Sequence, residues 1–108
     1  MLPSNSPDRA KAAVYADVLR AEARKARQAG DYREVLLAFA QVLQEGLRDK
    51  HEIPGARGLD WTLRGGIALM TASREMPFNP HTADALFAEG NALIRQSMAD
   101  LHRVSVAA

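Results

Sequence analysis

Arg9, Arg20, Arg24 and Arg27 fall within a narrow sector of one amphipathic segment, because their spacings return to nearly the same angle on an α-helix. A guanidinium presents a planar fork of donors that suits carboxylates and phosphates. The sector is therefore a candidate binding face for a protein partner or for nucleic acid. A solvated helix face accounts for the same pattern, with Asp17 three residues before Arg20 as a local ion pair. Lys50, Arg57 and Arg64 would extend the basic surface only if the segment between them folded toward it.

Other reactive residue types are present without the spacing that chemistry requires. His51, His81 and His102 form no HExxH pair. His81 and Asp84 share a helix face, but a metal centre needs three or four converging ligands with supporting bonds. Neither a metal nor a cofactor is expected. The chain has no cysteine, so thiol catalysis, thiolate ligation and disulfides are all excluded. Ser73 and Ser97 lie in helical segments with no nucleophile elbow, and Arg64-Gly65-Gly66 lacks the lysine and spacing of a phosphate-binding loop. Asp49, Glu52 and Asp60 flank one loop, where caps and solvated charges explain them more simply than acid–base work does. The expectation is a protein that is not an enzyme.

These residues sit on a chain of 108 residues with a formal net charge of +1. That length suits one domain with one core, and a near-neutral balance creates no global pull toward nucleic acid or an anionic membrane. No run approaches the roughly 18 apolar residues of a membrane span, and Met1 to Ser6 has neither a basic nor an apolar leader region. No membrane association and a cytoplasmic location are expected. Alanine supplies much of the 47% hydrophobic fraction, and β-branched runs are scarce. An all-α fold follows.

The first helix should open at Ser6, with Pro7 in the first helical position and Asp8 in the first turn, and run to about Ala29. Its inward face reads as Val14, Tyr15, Val18, Leu19 and Ala21, opposite the arginines. Gly30-Asp31-Tyr32 then breaks one helical pattern and starts another. Gly30 can take the left-handed backbone that ends a helix, and Asp31 can cap the next one, with Glu34 completing a capping-box-like spacing.

The second helix, about Tyr32 to Asp49, carries two adjoining apolar stripes: Val35, Phe39 and Val42, beside Leu36, Ala40, Leu43 and Leu47. Such breadth marks it as the central helix. A loop from about Lys50 to Gly58 holds Pro54 and Gly55, and Asp60 is the expected cap of a third helix bearing Trp61, Leu63, Ile67 and Met70. Gly65-Gly66 inside it costs roughly 1 kcal/mol per glycine, which calls for either a very close neighbour or a bend. Pro77 ends this helix, Phe78 is placed to enter the core, and Asn79-Pro80 opens a last helix running to about Arg103. Its seam comprises Ala83, Leu86, Phe87, Gly90, Leu93, Ile94, Ser97, Met98 and Leu101.

The expected architecture is a small four-helix bundle-like domain made of two helical hairpins, spanning residues 7–104, with a flexible start over 1–6 and a frayed tail over 105–108. The segment Gln28 to Glu34, continued by Phe39-Ala40-Gln41-Val42-Leu43, resembles the corner and second helix of a tetratricopeptide repeat. Glu22 and Ala26 stand where that repeat has a large apolar residue and an aromatic, and Leu47 replaces its closing proline. The resemblance implies the hairpin and does not carry over a peptide-binding groove.

Gly46, Gly65, Gly66 and Gly90, with Ala83, Ala92 and Ser97, make strips where helices can approach closely, either within the chain or between copies. The expected function is a non-enzymatic protein–protein interaction module, an adaptor or small assembly subunit able to form a homo-oligomer. The alternative is a nucleic-acid-associated helical protein, a regulator or a small subunit of a nucleoprotein complex, using the arginine face.

Overall fold

The computed structural model describes the backbone of residues 7–28 and 32–107, and the side chains of residues 7–28 and 34–97. Four α-helices follow in order: α1 (Pro7–Gln28), α2 (Tyr32–Glu52), α3 (Arg57–Glu75) and α4 (Pro80–Ala107). They form an all-α bundle of two antiparallel hairpins, α1–α2 and α3–α4. The corner expected at Gly30-Asp31 and the cap at Ser6 lie outside the described residues.

Cross-helix bonds fix the directions. Tyr15 on α1 meets Asp49 on α2, Lys50 near the end of α2 meets Asp60 near the start of α3, and Thr62 on α3 meets Ser97 on α4. Helices α1 and α3 run parallel, with Asp8 beside Gly58 and Leu19 seated at Gly66. Although α1 and α3 are diagonal partners in an up-down-up-down bundle, they pack closely, while α2 and α4 make no contact among the described residues. The bundle is thus flattened, with extents of 47 × 23 × 17 Å.

The glycines cause the flattening. On one side of α3, Gly65 faces Gly90 of α4; a Cβ built on either would lie 2.8 Å from the other's carbonyl oxygen. On the other side, Gly66 leaves room for Leu19 of α1 and Leu43 of α2. The glycine pair therefore answers to close neighbours. It also makes α3 the central helix in place of α2, since α3 touches all three others whereas α2 does not reach α4 among the described residues. The second stripe of α2 is only partly covered: Leu43 is buried in the core, Leu36 and Ala40 are half-buried and Leu47 is 50% exposed.

Two further expectations are corrected by packing. The buried side of α1 is Ala12, Tyr15, Ala16, Leu19, Ala23 and Ala26, whereas Val14 and Val18 are exposed. This stripe lies about 100° round the helix from the expected one. Small side chains line it because α1 nests tightly against α3. Phe78 is 77% exposed, outside the core it was expected to enter.

The start of α3 is capped from a distance. Its N-cap residue, Ala56, supplies no side-chain bond. Instead the Asp8 carboxylate accepts from the N–H groups of Gly58 at 2.9 Å and Leu59 at 2.8 Å. Those donors have no partner within the helix, and the anion also complements the helix dipole. Asp60, the expected cap, binds Lys50 and Arg64. The short α2–α3 connection turns at Gly55, whose φ of 66° favours a residue without a Cβ.

Candidate functional site

The corrected rotation of α1 changes where its arginines point. Arg20, Arg24 and Arg27 border the buried stripe rather than opposing it, and so stand along the seam between α1 and α4. With Ala23, Phe87 and Asn91 they line an open pocket of about 270 Å³. Arg9 shares their helix face but lies roughly 16 Å nearer the N-terminus at 1.5 Å per residue. It is half-buried and has an interaction of its own, so the structure brings together three of the four expected residues.

The geometry around Arg27 is the most defined part of the pocket. Its guanidinium carbon lies 4.5 Å from the centroid of the Phe87 ring, which is itself 1% exposed. The cation therefore rests on a fixed aromatic platform, with its N–H edge available. Arg24 and Arg27 are exposed, and Arg20 and Asn91 are half-buried. No described carboxylate pairs with Arg20, Arg24 or Arg27, and the expected Asp17–Arg20 ion pair does not form. Phe87 was legible as a core residue of α4; Asn91, four residues on, shares its flank by the same helical rule.

A second concavity of about 430 Å³ runs between α1 and α2, with Val14, Val18 and Val42 on its walls and Lys11, Tyr15 and Glu45 at its margin. At its edge the Tyr15 hydroxyl donates to Asp49 Oδ2 at 2.7 Å, and Lys11 Nζ approaches the same oxygen at 3.3 Å. The hydrogen bond from Tyr15, then Lys11, holds Asp49 below the usual carboxylate range. Burial, reinforced by the bond to Asp49, pushes the Tyr15 phenol above its ordinary value.

Several other polar groups are committed to structure. Lys50 Nζ lies 2.6 Å from Asp60 Oδ1 and Arg64 Nε 3.0 Å from Oδ2. The Lys50 hydrogen bond is the main cause of the lowered Asp60 pKa. Lys50 and Arg64 thus form their own cluster and do not extend the arginine seam. Asp49 and Asp60 serve separate networks and do not pair with each other. Ser97 donates to the Gly58 carbonyl at 3.0 Å, so its oxygen accepts from Thr62 at 2.8 Å. Ser73 donates to the Leu69 carbonyl. Among the described residues no group of three potential metal ligands converges. Among the described residues no helix is long and apolar enough to cross a membrane.

The fold and its surface define a small four-helix domain with a basic pocket on one seam and an apolar groove on another. Comparison with protein-family models, curated proteins and solved structures finds no match to this chain.

Proposed function

We propose that the chain is a non-enzymatic helical interaction module, an adaptor or small assembly subunit that works by docking to another protein or to a second copy of itself. The observation that carries this is the apolar α1–α2 groove. Val14 is 59% and Val18 36% exposed there, on a helix that buries Ala12 and Ala16 instead. Leu37 and Leu47 add exposed apolar surface elsewhere on α2. Covering one such side chain contributes about 1.5–3 kcal/mol, and grouped apolar surface is the usual mark of a contact site.

Light scattering over a concentration series, with affinity capture on the immobilised protein, tests the proposal. The native chain should associate with itself or retain a specific protein, and V14E/V18E should abolish that. A strict monomer that retains nothing counts against it.

Association with nucleic acid is the second reading, supported by three guanidiniums that lack a carboxylate partner among the described residues. It requires salt-sensitive binding to DNA or RNA. Unaltered binding by R20E/R24E/R27E at low salt would sink it.

A further inference from the structure

Within the interaction-module reading, on which this step rests, we propose that the α1–α4 seam docks an acidic segment of a partner protein, presenting carboxylates at helical spacing to Arg20, Arg24 and Arg27. The three arginines occur at i, i+4 and i+7, so their guanidiniums form one row about 10 Å long. Carboxylates on one face of a second helix repeat with the same period. A row of forks meeting a row of carboxylates permits bidentate, charge-assisted pairing at each position.

The pocket is partly arranged before any ligand arrives. Phe87 is held in the core, and Arg27 lies over its ring at 4.5 Å. Holding the guanidinium there reduces the side-chain entropy that binding must still remove. Asn91, half-buried in the pocket wall, adds an amide that can donate to a carboxylate or accept from a backbone N–H.

Three observations favour an acidic protein segment over a nucleic-acid strand. The face of Phe87 that borders the pocket is covered by Arg27, leaving no platform on which a base would stack. The basic row is short, and the chain as a whole carries only +1. Asp17 stands three residues before Arg20, and Asp84 three residues before Phe87, both exposed. Because α1 and α4 are antiparallel, these carboxylates bracket the row. A continuous phosphate backbone following the seam would run into them, whereas a short acidic segment fits between them.

The test is fluorescence anisotropy of a labelled helical peptide carrying Glu at i, i+4 and i+7. The same peptide with Gln at those positions and a short oligothymidylate serve as competing probes. The native chain should bind the Glu peptide at low salt, release it as salt rises, and prefer it to both controls. R20Q/R24Q/R27Q should weaken binding at least about tenfold, the effect of losing one to two charge-assisted hydrogen bonds. Its circular dichroism should stay native, since these side chains border solvent. R27K, which keeps the charge but lacks the fork, should also bind more weakly.

Absence of Glu-peptide binding, binding indifferent to the triple substitution, or oligothymidylate binding as tight as the peptide's would each overturn the proposal. V14E/V18E should leave peptide binding intact. If the native chain neither associates with itself nor retains a partner while its arginine-dependent peptide binding persists, the apolar groove reading fails and the seam site stands. The converse result removes the seam site alone.

Discussion

Gly65 and Gly90 face each other across the α3–α4 interface so closely that neither has space for a methyl group; the added carbon would lie 2.8 Å from the opposite carbonyl oxygen. Backbone lies on both sides of this contact, so no side-chain rotation relieves a clash. The approach also brings Ile94 against Gly65 and Leu69 against Gly90.

Replacing either glycine with alanine should therefore destabilise the fold, although alanine is the better helix former by about 1 kcal/mol. Overpacking of this kind costs typically about 1–3 kcal/mol, and here the backbone itself must move. Urea denaturation of G65A and G90A should show lower midpoints than the parent. An unchanged or higher midpoint would mean the helices separate at little cost.

Asp8 ties the first turn of α1 to the first turn of α3 through two N–H donors. D8A should cost about 0.5–2 kcal/mol, the usual range for losing a capping side chain. Hydrogen exchange distinguishes this loss from general weakening: protection at the Gly58 and Leu59 amides should fall more than protection in the middle of α3. D8N keeps an acceptor oxygen and should retain part of the stability.

In the buried Thr62–Ser97–Gly58 chain, both hydroxyls are removed from solvent. S97A takes away the acceptor of the Thr62 proton and should cost about 1–3 kcal/mol, the penalty for leaving a buried donor unpaired. T62V removes that donor and preserves the side-chain shape, so it should cost less. The double variant should fall well short of the sum, because the second change removes the group that the first one stranded. Additive losses would show that the two hydroxyls are not coupled.

The two aspartate networks set an acid limit. Asp49 and Asp60 both have folded pKa values below their ordinary carboxylate range, the first chiefly through the Tyr15 hydrogen bond and the second through Lys50. Their stabilisation is complete above the unfolded value, about 3.9, and is lost as pH falls through the lower folded values. Thermal melts between neutral and acid pH should decline below about pH 4, and the decline should be shallower in Y15F and K50M. Tyr15 acts in the opposite sense. Its phenol is raised above its ordinary value of 10.0, so its contribution holds below pH 10.0 and is lost as pH rises through the folded value. Y15F should remove that alkaline sensitivity.

The sequence alone determined the fold class and much of the organisation. Alanine-rich periodic segments, Pro7 and Pro80 at helix starts, and the breaks at Gly30-Asp31-Tyr32 and Pro54-Gly55 favoured an all-α fold of two helical hairpins. Gly65-Gly66 signalled either a close neighbour or a bend, because two glycines within a helix need compensation. The arginine row was visible as well, since helical periodicity puts Arg20, Arg24 and Arg27 on one face in any fold.

Only the tertiary structure decided which way that face points. Periodicity weighted by side-chain size favours Val14 and Val18 as the inward face of α1, yet the face that packs against α3 seats Leu19 at Gly66 and is otherwise lined largely by alanines. That choice turns the arginines from the open back of the bundle onto the α4 seam, beside Phe87 and Asn91. It also leaves the valines over a groove with Val42. The long-range Asp8 cap and the central place of α3 were hidden for the same reason: each depends on how closely two backbones approach, and one-dimensional hydrophobic patterns do not contain that distance.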